Sequence, residues 1–99
     1  MDKALLHNIQ LSLSYAPVQK AWLFGAFARN EETLGSDIDI LVEFIPGAKI
    51  SLFDYGAIVY DLEQTTGYKI DLVQAGMLKP FARKSVERDK ILIYERETA

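Results

Sequence analysis

The chain reads as an α+β (α/β) domain: a mixed sheet of about four strands with helices packed on one face. Three observations lead there. Helix-periodic and strand-like segments alternate along the whole length. Two strand-like segments, Asp37 to Phe44 and Lys69 to Val73, are aliphatic on one side and acidic on the other. With 99 residues the chain holds one hydrophobic core and is too short for two, so 1–99 is read as a single domain.

Each element has its own signal. Leu5, Leu6, Ile9 and Leu13 recur at helical spacing, which predicts an amphipathic helix over Asp2 to Tyr15, ended by Pro17. Lys20 to Phe24 is a short apolar run that suits a buried strand, with Trp22 and Phe24 expected in the core. Gly25 breaks it, and Ala26 to Arg29 starts a short helix. Asn30 to Ser36 is polar and turn-rich, hence a loop. Asp37 to Phe44 alternates strictly, with Ile38, Ile40, Val42 and Phe44 on one side and Asp37, Asp39, Leu41 and Glu43 on the other. Ser51 to Thr66 is a helix with Leu52, Tyr55, Ile58, Val59 and Leu62 as its apolar stripe. Ser51 with Asp54 forms a capping box, and Gly67 supplies the stop. Lys69 to Val73 is a strand with Asp71 on the polar side, where Lys69 is positioned to pair with it. Pro80 opens a helix running to about Asp89, and Ile91 to Tyr94 reads as a last strand.

Composition narrows the chemistry. The chain is 49% hydrophobic and 25% charged, which is ordinary for a folded domain. It has no cysteine, and His7, read as a surface residue, is its one histidine. Any bound metal is therefore held by oxygen, which favours Mg²⁺, Mn²⁺ or Ca²⁺ over zinc. Net charge is −3, which argues against direct nucleic-acid binding through bulk electrostatics. Lys79, Arg83, Lys84, Arg88 and Lys90 gather in the last quarter and read as a solvated helix face. No segment is long and apolar enough to span a membrane, and no signal-peptide pattern opens the chain, so a cytoplasmic location is expected.

Two features carry chemistry. Asp37 and Asp39 lie two residues apart on a strand, so the pleat puts both on one face with Cα atoms roughly 6.5–7 Å apart. If Asp71 lies on the neighbouring strand, about 4.8 Å away, it completes a cluster of three carboxylates. Such groups repel unless a cation neutralises them, and one cation or two between them suits metal-assisted phosphoryl or nucleotidyl transfer. Read alone, the aspartate pair is equally well explained as solvated charge. Gly25 is the second feature. A glycine between a buried strand and a helix start lets backbone approach a phosphate, although by itself it is most simply a turn.

Together these residues resemble a known family. Gly25-Ala26-Phe27-Ala28-Arg29, then Ser36-Asp37-Ile38-Asp39-Ile40-Leu41-Val42, then Lys69-Ile70-Asp71-Leu72-Val73 is similar to the minimal nucleotidyltransferases (MNT) of the DNA polymerase β-like superfamily. The family pattern is glycine-serine, a spacer, Asp-x-Asp, and a later aspartate on another strand. The resemblance implies the nucleotidyltransferase fold. It implies Asp37, Asp39 and Asp71 as catalytic metal ligands, and Gly25, Ala26, Arg29 and Ser36 around the nucleotide. It implies Mg²⁺, with Mn²⁺ as a substitute, and ATP as substrate. It further implies a helical HEPN-type partner, the toxin of a toxin-antitoxin pair, one of whose tyrosines receives AMP. Ala26 departs from the pattern by replacing the family serine, so one hydroxyl toward the triphosphate is missing. That departure keeps open a second expectation: a catalytically inactive module of the same fold that neutralises its partner by contact.

Overall fold

In a computed structural model, residues 1–97 are described, with the element order α1 (Lys3–Ser14), β1 (Val18–Phe24), α2 (Gly25–Ala28), β2 (Ile38–Phe44), α3 (Leu52–Thr66), β3 (Ile70–Gln74), α4 (Pro80–Asp89) and β4 (Ile91–Glu95). Every predicted element is present, shifted at most two residues at its ends. Local chemistry explains the boundaries. Asp2 caps α1 by accepting from Ala4 N at 3.3 Å. Ser51 and Asp54 form the reciprocal capping box of α3, and Gly67 at φ 75 ends that helix in the left-handed region. Pro80 stands in the first turn of α4, where its missing N–H costs nothing.

The four strands make one mixed sheet in the order β3-β2-β1-β4. β1 runs antiparallel to both β2 and β4, and β2 runs parallel to β3. Parallel pairing needs a crossover, which α3 supplies. The main core lies between the sheet and the α1/α3 layer. Ile9 and Leu13 of α1 and Ile58 and Leu62 of α3 meet Val18, Ala21 and Leu23 of β1, Ile38, Ile40 and Val42 of β2, and Ile70, Leu72 and Ile93. Leu52, expected in the α3 stripe, is exposed instead, at the first residue of the helix.

Helices do not stay on one face, as the sequence led us to expect. Leu41 points to the same side as Asp39 yet is only 3% exposed. The register explains this, since Trp22, Leu41 and Val73 form an apolar row across β1, β2 and β3 on that side. α4 covers the row, with Arg83 and Glu87 lining a cavity shared with Trp22 and Leu41, and Lys90 Nζ 4.9 Å from the Trp22 ring centroid. Trp22 and Phe24 are accordingly half-buried on this second side rather than in the main core. The fold class is unchanged; the second layer is one short helix.

Candidate nucleotide and metal site

The next row along the same side of the sheet holds the carboxylates. Phe24 pairs with Asp39 across β1 and β2, and Asp39 pairs with Asp71 across β2 and β3. Cross-strand partners project to one face, so Asp39 and Asp71 stand side by side. Asp37 precedes β2 by one residue and is exposed, on the polar side of the same alternation. The register thus puts Asp39 beside Asp71, and Asp37 lies close enough for its charge to act on Asp39.

Electrostatics mark Asp39 as the strained member. Its pKa is pushed up from 3.8 to about 6, first by burial, then by the Asp71 charge and its hydrogen bond, and then by Asp37; Arg29 opposes the shift. Two carboxylates this close cannot both ionise without penalty. Tyr55 on α3 also senses the cluster: burial first, and then Asp71, raise its phenol above the ordinary value.

Gly25 adopts φ 71, a left-handed backbone open to glycine. Its Cα hydrogens face the Asp39 carboxylate, and a Cβ there would stand 3.0 Å from Asp39 Cγ and closer still to Oδ2. The glycine turn and the first carboxylate strand are therefore one packed unit. Ala26 follows in α2, half-buried and without a hydroxyl. Arg29 closes α2; its Nε is 3.1 Å from Glu31 Oε2 and its Nη1 is 2.9 Å from Asp89 Oδ2, which ties α2 to the end of α4. Ser36 Oγ accepts from Thr33 N at 2.8 Å, an engagement that shapes the loop leading into Asp37.

Lys69 corrects one expectation. It is exposed and forms no ion pair with Asp71 among the described residues. Its C=O, by contrast, accepts from Ile38 N at 2.9 Å and sets the β2/β3 register. The Asp71 charge is thus left without a basic partner on its own strand.

A divalent metal fits the donor chemistry of this row. The side chains offer only oxygen, the hard-ligand set for Mg²⁺. Burial first, and then the neighbouring Asp71 and Asp37, disfavour the ionised form of Asp39, and a cation there would offset both effects. Among the described residues no three carboxylate or imidazole groups yet converge on one point. Among the described residues no helix is long and apolar enough to cross a membrane.

Residues 7–93 match the model of the nucleotidyltransferase domain family. A candidate protein adenylyltransferase of Methanocaldococcus jannaschii, MJ1379, is 39% identical over 77 residues, which is 77% of each chain. A solved structure described as a candidate minimal nucleotidyltransferase is 32% identical, with a TM-score of 0.70 over 92% of this chain and 95% of that one. The MNT antitoxin in complex with the tri-AMPylated HEPN toxin of Shewanella oneidensis shares the fold. Its TM-score is 0.72 at 17% identity, over 97% of this chain and 74% of that one.

Proposed function

This chain belongs to the nucleotidyltransferase domain family, and on that premise we propose that it transfers AMP from ATP to a hydroxyl of a helical HEPN-type protein partner. The observation that carries the proposal is the row Gly25, Asp39, Asp71: a glycine turn packed on one carboxylate, with a second in register beside it. The adenylyltransferase relative and the AMPylated partner of the Shewanella antitoxin support the choice of nucleotide and acceptor.

In this reading Asp37, Asp39 and Asp71 would hold Mg²⁺, or Mn²⁺ in its place, which when bound would neutralise triphosphate charge and favour attack at phosphorus. Gly25 and Ala26 bring main chain to the phosphates; Arg29 and Ser36 border the nucleotide from α2 and from the loop before Asp37. The acceptor hydroxyl oxygen forms a bond to the α-phosphorus while the bond to the pyrophosphate oxygen breaks. Asp71, exposed at the sheet edge, takes the hydroxyl proton. Asp71, the exposed end of the row, leaves one side open for an acceptor brought by another protein. The reaction belongs to the cytoplasm, where ATP and Mg²⁺ are abundant.

Ala26 motivates a second reading, in which the chain neutralises its partner by contact alone. Calorimetric titration of Mg²⁺·ATP into the wild type and into Asp37→Asn/Asp39→Asn separates the two. Metal-dependent binding that the double variant loses, followed by a mass increase of one AMP on the partner, supports transfer. A wild type that binds no Mg²⁺·ATP but still neutralises its partner refutes transfer and leaves the contact module.

A further inference from the structure

The outer edge of β3 is closed by two side chains of α3, one on either side of Asp71. β3 ends the sheet and pairs only with β2. Along a strand in a parallel pair, residues alternate between pointing their N–H and C=O toward the neighbour and away from it. Lys69 C=O accepts from Ile38 N, so Lys69, Asp71 and Val73 face β2, whereas Ile70 and Leu72 face outward. An open edge of this kind leaves backbone groups without partners. Here one backbone group of Ile70 and one of Leu72 are engaged by side chains of α3. Ile70 N–H donates to Glu63 Oε2 at 3.1 Å, and the Tyr55 hydroxyl donates to the Leu72 C=O.

The two bonds bracket Asp71. Its own peptide groups belong to the β2 ladder, and the residues before and after it are pinned from the opposite side. Tyr55 and Glu63 are about two turns apart on α3. The helix is anchored in the core by Ile58 and Leu62 between them, and Glu63 C=O accepts the Gly67 N–H that stops the helix. Neither side chain needs to meet the Asp71 carboxylate to act on it. They act through the backbone of a strand only five residues long, which without them would be held on one side alone.

We propose that Tyr55 and Glu63 are positioning residues for Asp71: by pinning Leu72 and Ile70, they set the direction in which its carboxylate leaves the sheet beside Asp39. This inference rests on the reading of Asp71 as a metal ligand. A ligating carboxylate must be placed to within about 0.5 Å, and groups that orient ligands without touching the metal change its affinity by about 10–100-fold.

The test is calorimetric titration of Mn²⁺ into the full chain with a non-transferable ATP analogue present. The variants are Tyr55→Phe, Glu63→Ala, Glu63→Gln and Asp71→Asn, and each melting temperature is measured without metal. Tyr55→Phe and Glu63→Ala are expected to weaken Mn²⁺ binding about tenfold. Glu63→Gln, which keeps an oxygen to accept from Ile70, recovers most of that loss. Lower melting temperatures with unchanged Mn²⁺ affinity would overturn the proposal and make the bonds a cover for the strand edge. Should Tyr55→Phe fail to fold, the Glu63 pair carries the same comparison. Asp71→Asn with unaltered Mn²⁺ binding would overturn the reading of Asp71 itself, and the positioning role with it.

Discussion

Gly25 and Asp39 are packed so that the first has no room for a side chain: an added Cβ would lie 3.0 Å from Asp39 Cγ and 3.3 Å from its Cβ. The same glycine holds φ 71. Gly25→Ala therefore meets two costs, the left-handed backbone, at about 1–2 kcal/mol, and displacement of the carboxylate. The variant should unfold at lower denaturant concentration and also lose Mg²⁺·ATP affinity. Calorimetry on protein that remains folded checks the second effect independently of the first.

Asp39 makes the protein sensitive to pH in an unusual direction for an aspartate. Its folded pKa of about 6 lies above the ordinary 3.8. The folded state thus holds a proton that the unfolded state has released between those values, and stability falls as pH rises from about 4 to about 6. Without metal, the melting temperature should be higher at pH 5 than at pH 7, and Asp39→Asn should flatten that difference. Metal competes with the proton, so Mg²⁺ affinity should rise over the same interval, with proton release measurable by calorimetry in buffers of different ionisation enthalpy.

Ala26→Ser restores the hydroxyl of the family pattern in a half-buried position beside the turn. One hydrogen bond to a phosphate is worth about 0.5–1.5 kcal/mol, or roughly a two- to tenfold gain in kcat/KM. Steady-state transfer kinetics with ATP check it. An unchanged kcat/KM would mean that the hydroxyl finds no phosphate.

Asp89 joins the end of α4 to α2. Its hydrogen bonds with Arg88 and then Arg29 hold its carboxyl below the ordinary value. A lowered carboxylate pKa contributes stability that is present above the unfolded value and lost as pH falls through the folded one. Asp89→Asn should lower the melting temperature at pH 7, and the gap from wild type should close as pH falls below the usual aspartate range. Thermal melts across pH test this directly.

Much of this protein follows from sequence alone. Period-two alternation from Ile38 to Phe44 specified a strand with a core side and an acidic side, because the pleat leaves no other arrangement. Ser51, Asp54, Gly67 and Pro80 marked helix ends because capping is a local interaction, complete within one turn of chain. The order of glycine, Asp-x-Asp and later aspartate pointed to the family. Tertiary structure decided what depends on strand order and register. That Asp71 stands beside Asp39 and that Leu41 is buried on the acidic side under α4 are matters of which strands became neighbours. Tyr55 read from its spacing as one more residue of the α3 stripe, and Glu63 carried no signal. Their bonds to Leu72 and Ile70 exist because β3 became the sheet edge beneath α3, and hydrogen-bond partners far apart in the chain leave no trace in local periodicity.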